Sequence, residues 1–133
     1  MENCLFCSIA TGAIPSFTVY EDDHARAFLD IHPLSKGHTM VIPKMHGGTM
    51  LDLPEEEVAH LFRAVKKVTA RVKEVIQPDG FTIGVNHEIG QAVPHMHVHI
   101  IPRWRDDGGG SMHSITGKKA EESVEEIAKL FEK

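Results

Sequence analysis

The 133 residues are 41% hydrophobic and 25% charged, enough apolar material for one compact soluble domain. A net charge of -5 and a pI near 6.0 leave no basic footprint for nucleic acid, and no apolar run approaches the roughly 20 residues that span a bilayer. The only cysteines are Cys4 and Cys7, too few for a disulfide framework, and "MENCLFCSIATG" has no basic segment before a long apolar one; both predict a cytoplasmic protein.

In chain order, "FTVYED" (17–22) and "ARAFLD" (25–30) are short, apolar-aromatic and separated by acidic turn residues, which predicts a hairpin. Pro33 and Gly37 break the pattern, and "HTMVIPK" (38–44) is the next strand. After a loop at Gly47 and Gly48, residues 55–77 predict the longest helix. Pro54 stands at its start, Glu55, Glu56 and Glu57 fill the first turn, and Val58, Leu61, Phe62, Val65, Val68, Val72, Val75 and Ile76 form one apolar stripe. Pro78 and Gly80 end it. "FTIGVN" (81–86) is a strand, "HEIGQAVP" (87–94) a loop, and "HMHVHII" (95–101) the last strand, stopped by Pro102. Residues 105–133 read as a glycine-rich tail followed by a short amphipathic helix near 121–131, with Val124, Ile127, Ala128 and Phe131 on one face. The fold class is therefore α+β: about five mostly antiparallel strands with one long helix and smaller terminal helices.

His95, His97 and His99 alternate with Met96, Val98 and Ile100. Strand side chains alternate faces, so the three imidazoles share one face and the apolar residues share the other. Two chemistries fit such a face. Histidine pairs of this spacing hold zinc, and a neutral imidazole nitrogen can attack phosphorus when its neighbours fix the tautomer. Asn86, Gly90 and Gln91 offer an amide side chain and a turn whose N–H groups suit phosphate oxygens. Cys4-Leu-Phe-Cys7 lacks the βαβ setting of a redox pair; two thiolates on one turn make half of a tetrahedral zinc site, and imidazoles can supply the rest. His24, His32, His60, His87 and His113 read as surface or loop residues.

"HMHVHII" resembles the His-φ-His-φ-His-φ-φ signature, φ being apolar, of the histidine triad (HIT) superfamily of nucleotide hydrolases and transferases. The likeness extends over about residues 4–104, through "CLFCSIATGAIPSFTVYEDDHARAFLDIHPLSKGHTMVIPKMH" and "GQAVPHMHVHIIPR". It implies a single HIT domain over 1–133 of the zinc-containing bacterial or archaeal type. By this resemblance His97 is the nucleophile that forms a covalent nucleotidyl-histidine, and His99 polarises the α-phosphate. Asn86, Gly90, Gln91 and Ala92 match phosphate-holding positions and Asp30 the carboxylate that bonds the ribose. Phe6, Ile9, Phe28, Ile31 and Met40 match the wall around the base, with His38 at its edge. Cys4, Cys7, His46 and His95 match ligands of a structural zinc, and no catalytic metal is expected. The implied partner is a small nucleotide of the AMP or GMP type, in a homodimer that uses part of the long-helix stripe. Three departures stand out: Ala92 replaces a common hydroxyl residue able to assist the leaving group, Pro94 replaces an aromatic, and the loop "HEIGQAVP" is shorter than in common members. The implied reaction is hydrolysis of a nucleoside phosphoramidate or similar conjugate. The alternatives are a dinucleoside polyphosphate hydrolase, a nucleotide-binding regulatory or scaffold protein, and a zinc-dependent hydrolase with the triad as ligands.

Overall fold

The computed structural model describes residues 3–132, so residues 1, 2 and 133 of the expected 1–133 domain lie outside the described residues. Five strands, β1 (Thr18–Glu21), β2 (Ala25–Leu29), β3 (Thr39–Pro43), β4 (Gly80–Gly84) and β5 (Val98–Arg103), form one sheet in the order β1-β2-β3-β5-β4. Every pairing is antiparallel, as expected. The helices are α1 (Leu5–Ala10), α2 (Glu55–Ile76) and α3 (Val124–Leu130).

The β1–β2 turn is fixed locally: Asp22 Oδ1 accepts the backbone N–H groups of His24 and Ala25, both at 2.8 Å. α2 starts after Pro54 with three glutamates facing the positive end of the helix dipole, and ends at Gln77 in the left-handed conformation, φ 56°. Gly37 is needed twice over: its φ is +88°, and an added Cβ would lie 2.8 Å from Ile76 Cγ1.

α2 covers one sheet face. Leu61, Ala64, Val65, Val68 and Val72 pack on Ala25, Ala27, Val41, Val98 and Ile100. The stripe is narrower than the sequence suggests, since Phe62 is 40% and Val75 59% exposed. Both lie just off the line of contact, because a flat sheet touches only the central strip of a cylinder. That central strip is spent on the chain's own sheet, so only its exposed edge is open to a second copy.

The other sheet face carries a transverse row, Thr18–Phe28–Met40–His99–Gly84, that crosses all five strands in register. α1 lies over part of this face and forms a second core from Phe6, Ile9, Ala10, Phe28, Met40 and Ile42.

The strand expected over 81–86 ends at Gly84, which leaves Asn86 in the loop, and the last strand moves at both ends. β5 begins at Val98 rather than residue 95, and it continues through Pro102, which pairs with Phe81. Pro102 is tolerated because β3 pairs only with residues 98–100, which leaves β5 one neighbour at that point. α3 forms behind a Ser123 cap, but its apolar face stays in solvent, with Val124 80% and Phe131 82% exposed. Capping and spacing make the helix; they do not give it a surface to pack on.

The two faces of α2 predict a clear contrast. Leu61→Ala should cost about 2–5 kcal/mol in urea unfolding, as buried leucines do. Phe62→Ala should stay within about 1 kcal/mol.

Candidate functional site

Residues 94–97 run up to β5 and already keep its alternation. Met96, 1% exposed, joins the α2 core, while His95 at 0% and His97 at 5% face the α1 side. His99 continues that face inside β5.

Cys4 caps α1, its Sγ accepting the Cys7 N–H at 3.3 Å. This places both sulfurs beside two imidazoles. Cys4 Sγ lies 3.4 Å and Cys7 Sγ 3.5 Å from His95 Nδ1. His46 Nδ1 lies 3.2 Å from Cys7 Sγ and 3.3 Å from His95 Nδ1. A tetrahedral ion with Zn–S near 2.3 Å and Zn–N near 2.05 Å separates such ligand atoms by about 3.3–3.6 Å. The four side chains can therefore hold a metal ion with little movement. The second half of His95 agrees. Its Nε2 lies 2.8 Å from the Pro43 carbonyl, and a carbonyl only accepts, so Nε2 carries the proton and Nδ1 turns a lone pair to the cluster. Burial lowers the His95 pKa, which favours this neutral form. In the metal-free chain burial, helped by the neighbouring Cys4 thiol, raises that of Cys7.

The same reasoning fixes His97. Its Nδ1 is 2.7 Å from the His95 carbonyl and must donate, so Nε2 holds the lone pair. His99 is set the opposite way by His38. The Leu34 N–H donates to His38 Nδ1 at 3.1 Å, so His38 Nε2 carries the proton and donates to His99 Nδ1 at 2.9 Å. The proton of a neutral His99 then sits on Nε2. Burial lowers His38, against the pull of Asp30. Burial, then the nearby His97 and His38, pushes His99 down to about 4. Adjacent rings, 5.0 Å apart, thus offer one lone pair and one N–H.

Both line a cavity of about 670 Å³. All five residues expected around the base, Phe6, Ile9, Phe28, Ile31 and Met40, line it, as do Asp30, Asn86, Gly90 and Ala92. Phe6 stands edge-on to His97 at 5.1 Å and to Phe28 at 5.5 Å. Among the described residues the Asn86 amide has no hydrogen-bond partner, leaving its donors free, and Gly90 (φ +79°) lets the turn pass that side chain. Gln91 is the one expected residue turned aside: its Nε2 donates to the Gly48 carbonyl at 2.6 Å and its Oε1 accepts the Glu88 N–H. Its backbone N–H is taken by Glu88 O. Gln91 braces the turn.

Some contributions go beyond those expected. His38 is 3% exposed and acts on His99 across 61 residues of chain, beyond any local pattern. Arg26 donates to the Ile9 carbonyl at 2.7 Å and so ties the end of α1 to β2. Leu5, Ile14, Phe17 and Val93 also line the cavity. The tail touches a smaller neighbouring groove of about 150 Å³ through Met112, beside His99 and Asn86, whereas Trp104 lines neither.

Comparison with known proteins matches this architecture. The model of the HIT domain covers residues 11–106, and the chain belongs to that family. It is 46% identical to the protein named hit of Bacillus subtilis over 84% of this chain and 79% of that one. It is 34% identical to the adenosine 5'-monophosphoramidase of Candida albicans, over 96% and 93%. Among solved structures, a Streptococcus mutans protein superposes with a TM-score of 0.86 at 39% identity, covering 98% of this chain and 82% of that one. A zinc-bound histidine triad family protein of Mycobacterium smegmatis gives 0.74 at 31%, covering 91% and 85%.

The buried neutral imidazoles make stability depend on pH. His99 titrates at about 4 in the fold against 6.5 ordinarily, so between those values the unfolded chain binds the extra proton. Its contribution is complete above pH 6.5 and lost progressively down to about 4. The urea midpoint should fall across that window, with a shallower slope in His99→Gln.

Proposed function

We propose that this chain hydrolyses, or transfers the nucleotidyl group of, a purine nucleotide conjugate by covalent catalysis at His97. One observation carries the reading: a His97 Nε2 lone pair and a neutral His99 N–H share one wall of a largely apolar cavity that also holds Asp30 and Asn86. The cavity suits a base against Phe28, Met40 and Ile9, with Asp30 as acceptor for ribose hydroxyls. Asp30 Oδ1 already accepts the His32 N–H at 2.8 Å, which holds the carboxylate in place. The α-phosphate then lies at His97, His99 and the free Asn86 amide.

His97 Nε2 attacks the α-phosphorus, the N–P bond forms and the bond to the leaving group breaks. Positive charge on the imidazole ring is stabilised through Nδ1–H by the His95 carbonyl. His99 Nε2–H and Asn86 donate to the phosphoryl oxygens as charge grows there, the kind of preorganised contribution that is usually largest. Water then attacks phosphorus, the N–P bond breaks, and the nucleoside monophosphate leaves with His97 restored. The relative named as a monophosphoramidase supports an amine as leaving group.

Zinc at Cys4, Cys7, His46 and His95 is part of the same reading, supported by the ligand spacing and by the zinc-bound neighbour. Four protein ligands close the site, so zinc would supply a brace between α1 and the triad segment. Asp30, His38 and His99 also lie within metal-ligand reach of one another. The 2.9 Å between His38 Nε2 and His99 Nδ1 is nonetheless a hydrogen-bond length, shorter than the roughly 3.3 Å between imidazoles that share an ion. The proposal also includes pairing of two copies along the exposed edge of α2.

Ala92 favours a second reading, hydrolysis of dinucleoside polyphosphates. With no hydroxyl there to protonate an amine, a nucleotide that leaves as a stable anion needs no such help. A panel containing an AMP-amine conjugate and a dinucleoside polyphosphate separates the two readings.

The AMP-amine conjugate should yield AMP with the native chain. His97→Asn should lower turnover at least about 10³-fold, the scale lost with a nucleophile, while AMP binding persists. Unchanged turnover in that variant would exclude the mechanism. Stripping zinc should lower Tm by several degrees, about 2–8 °C per 1–2 kcal/mol of lost bracing. An activity loss with Tm unchanged would instead point to a catalytic metal.

A further inference from the structure

His24, in the β1–β2 turn, and His60, on α2, have no part in the site described above, yet their rings stack face to face. The centroids are 3.7 Å apart and the planes differ by 2°. Glu57 joins them, its carboxylate 3.2 Å from His24 Nδ1. We propose that His24, Glu57 and His60 form a second metal site, for a divalent transition ion of the zinc, nickel or copper class.

The donor set fits that class. Two imidazoles and one carboxylate suit borderline ions, and three protein ligands leave positions open for water. Glu57 and His60 are spaced i, i+3 on one helix, the Glu-x-x-His arrangement that presents both side chains to one ion. The third ligand comes from a different element, so an ion here would also pin the hairpin turn to the start of α2.

One ligand atom from each residue lies within 4.8 Å of the others. A bound ion needs these atoms about 3.3 Å apart with both lone pairs aimed at one point, so closure requires the parallel rings to rotate out of their stack. The main chain on the hairpin side is already held. The His24 N–H donates to Asp22 Oδ1 at 2.8 Å, and the His24 carbonyl accepts the Lys44 N–H at 2.8 Å. Glu57 is 13% exposed at its side chain, which limits its competing hydration, while His24 at 43% leaves a route for the ion.

One group opposes binding. Arg63 Nη1 lies 3.3 Å from His60 Nδ1 and places a fixed positive charge beside the site. Neutral His60 accepts from Arg63 at Nδ1 and carries its proton on Nε2; coordination at Nε2 requires that proton to move to Nδ1 and Arg63 to turn away. Arg63→Ala should therefore tighten binding.

The test is a Zn2+ titration of the full chain, beyond one equivalent, followed residue by residue through the imidazole ring CH resonances. Residue resolution separates this site from the cysteine cluster whether or not that cluster is loaded. The His24 and His60 signals should move together and saturate at micromolar free zinc. Loss of an outer-shell partner alone costs about 10–100-fold in metal affinity, so His60→Ala, which removes a ligand, should weaken the His24 response by about 100-fold or more. Arg63→Ala should strengthen it, and His113→Ala should leave it unchanged. The proposal is overturned if the His24 and His60 signals fail to saturate below millimolar zinc. It is equally overturned if the His24 response is the same in His60→Ala.

Discussion

The hydrogen bond from His97 Nδ1 to the His95 carbonyl, 2.7 Å long, is the constraint on which the site depends. A backbone carbonyl cannot donate, so it selects one tautomer and leaves the lone pair on Nε2. The Pro43 carbonyl selects the opposite nitrogen of His95 and turns its lone pair to the cysteines. His38, itself set by the Leu34 N–H, selects the tautomer of His99. Three chemically identical side chains thus present a lone pair to the cysteines, a lone pair to the cavity and an N–H to the cavity, through what sits behind each ring.

That division is possible only because the sheet has two differently used faces. Met96, Val98 and Ile100 are committed to α2 and anchor the segment, which frees the intervening residues for chemistry. On the other face α1 does two things at once. It brings Cys4 and Cys7 to His95, and it sets Phe6 edge-on against His97. Arg26 holds the far end of α1 through the Ile9 carbonyl. Substitutions at Arg26 or Phe6 therefore act on the His97 ring through α1 as well as through packing.

Much of this was legible in the sequence because it is local. Alternation of apolar and imidazole side chains sets the two faces, acidic first-turn residues and Pro54 mark α2, and the Cys-x-x-Cys pair marks half of the cysteine–histidine cluster. What escaped depends on distance in the chain or on a partner surface. His38 reads as a pocket-edge residue until β3 pairs with β5 and brings it against His99. Gln91 reads as a phosphate contact, but its side chain finds the Gly48 carbonyl first. Pro102 reads as a strand end, and only the register of β3 on β5, which stops at Ile100, reveals the unpaired stretch where it fits. His24 and His60 look like isolated surface histidines because nothing in the 35 intervening residues announces their stacking.

The tautomer assignment is open to direct measurement by long-range correlation of ring protons with ring nitrogens at neutral pH. The structure predicts a protonated Nδ1 with a bare Nε2 on His97, and the reverse on His99. A His97 ring protonated at Nε2 would remove the lone pair from the cavity and contradict the account.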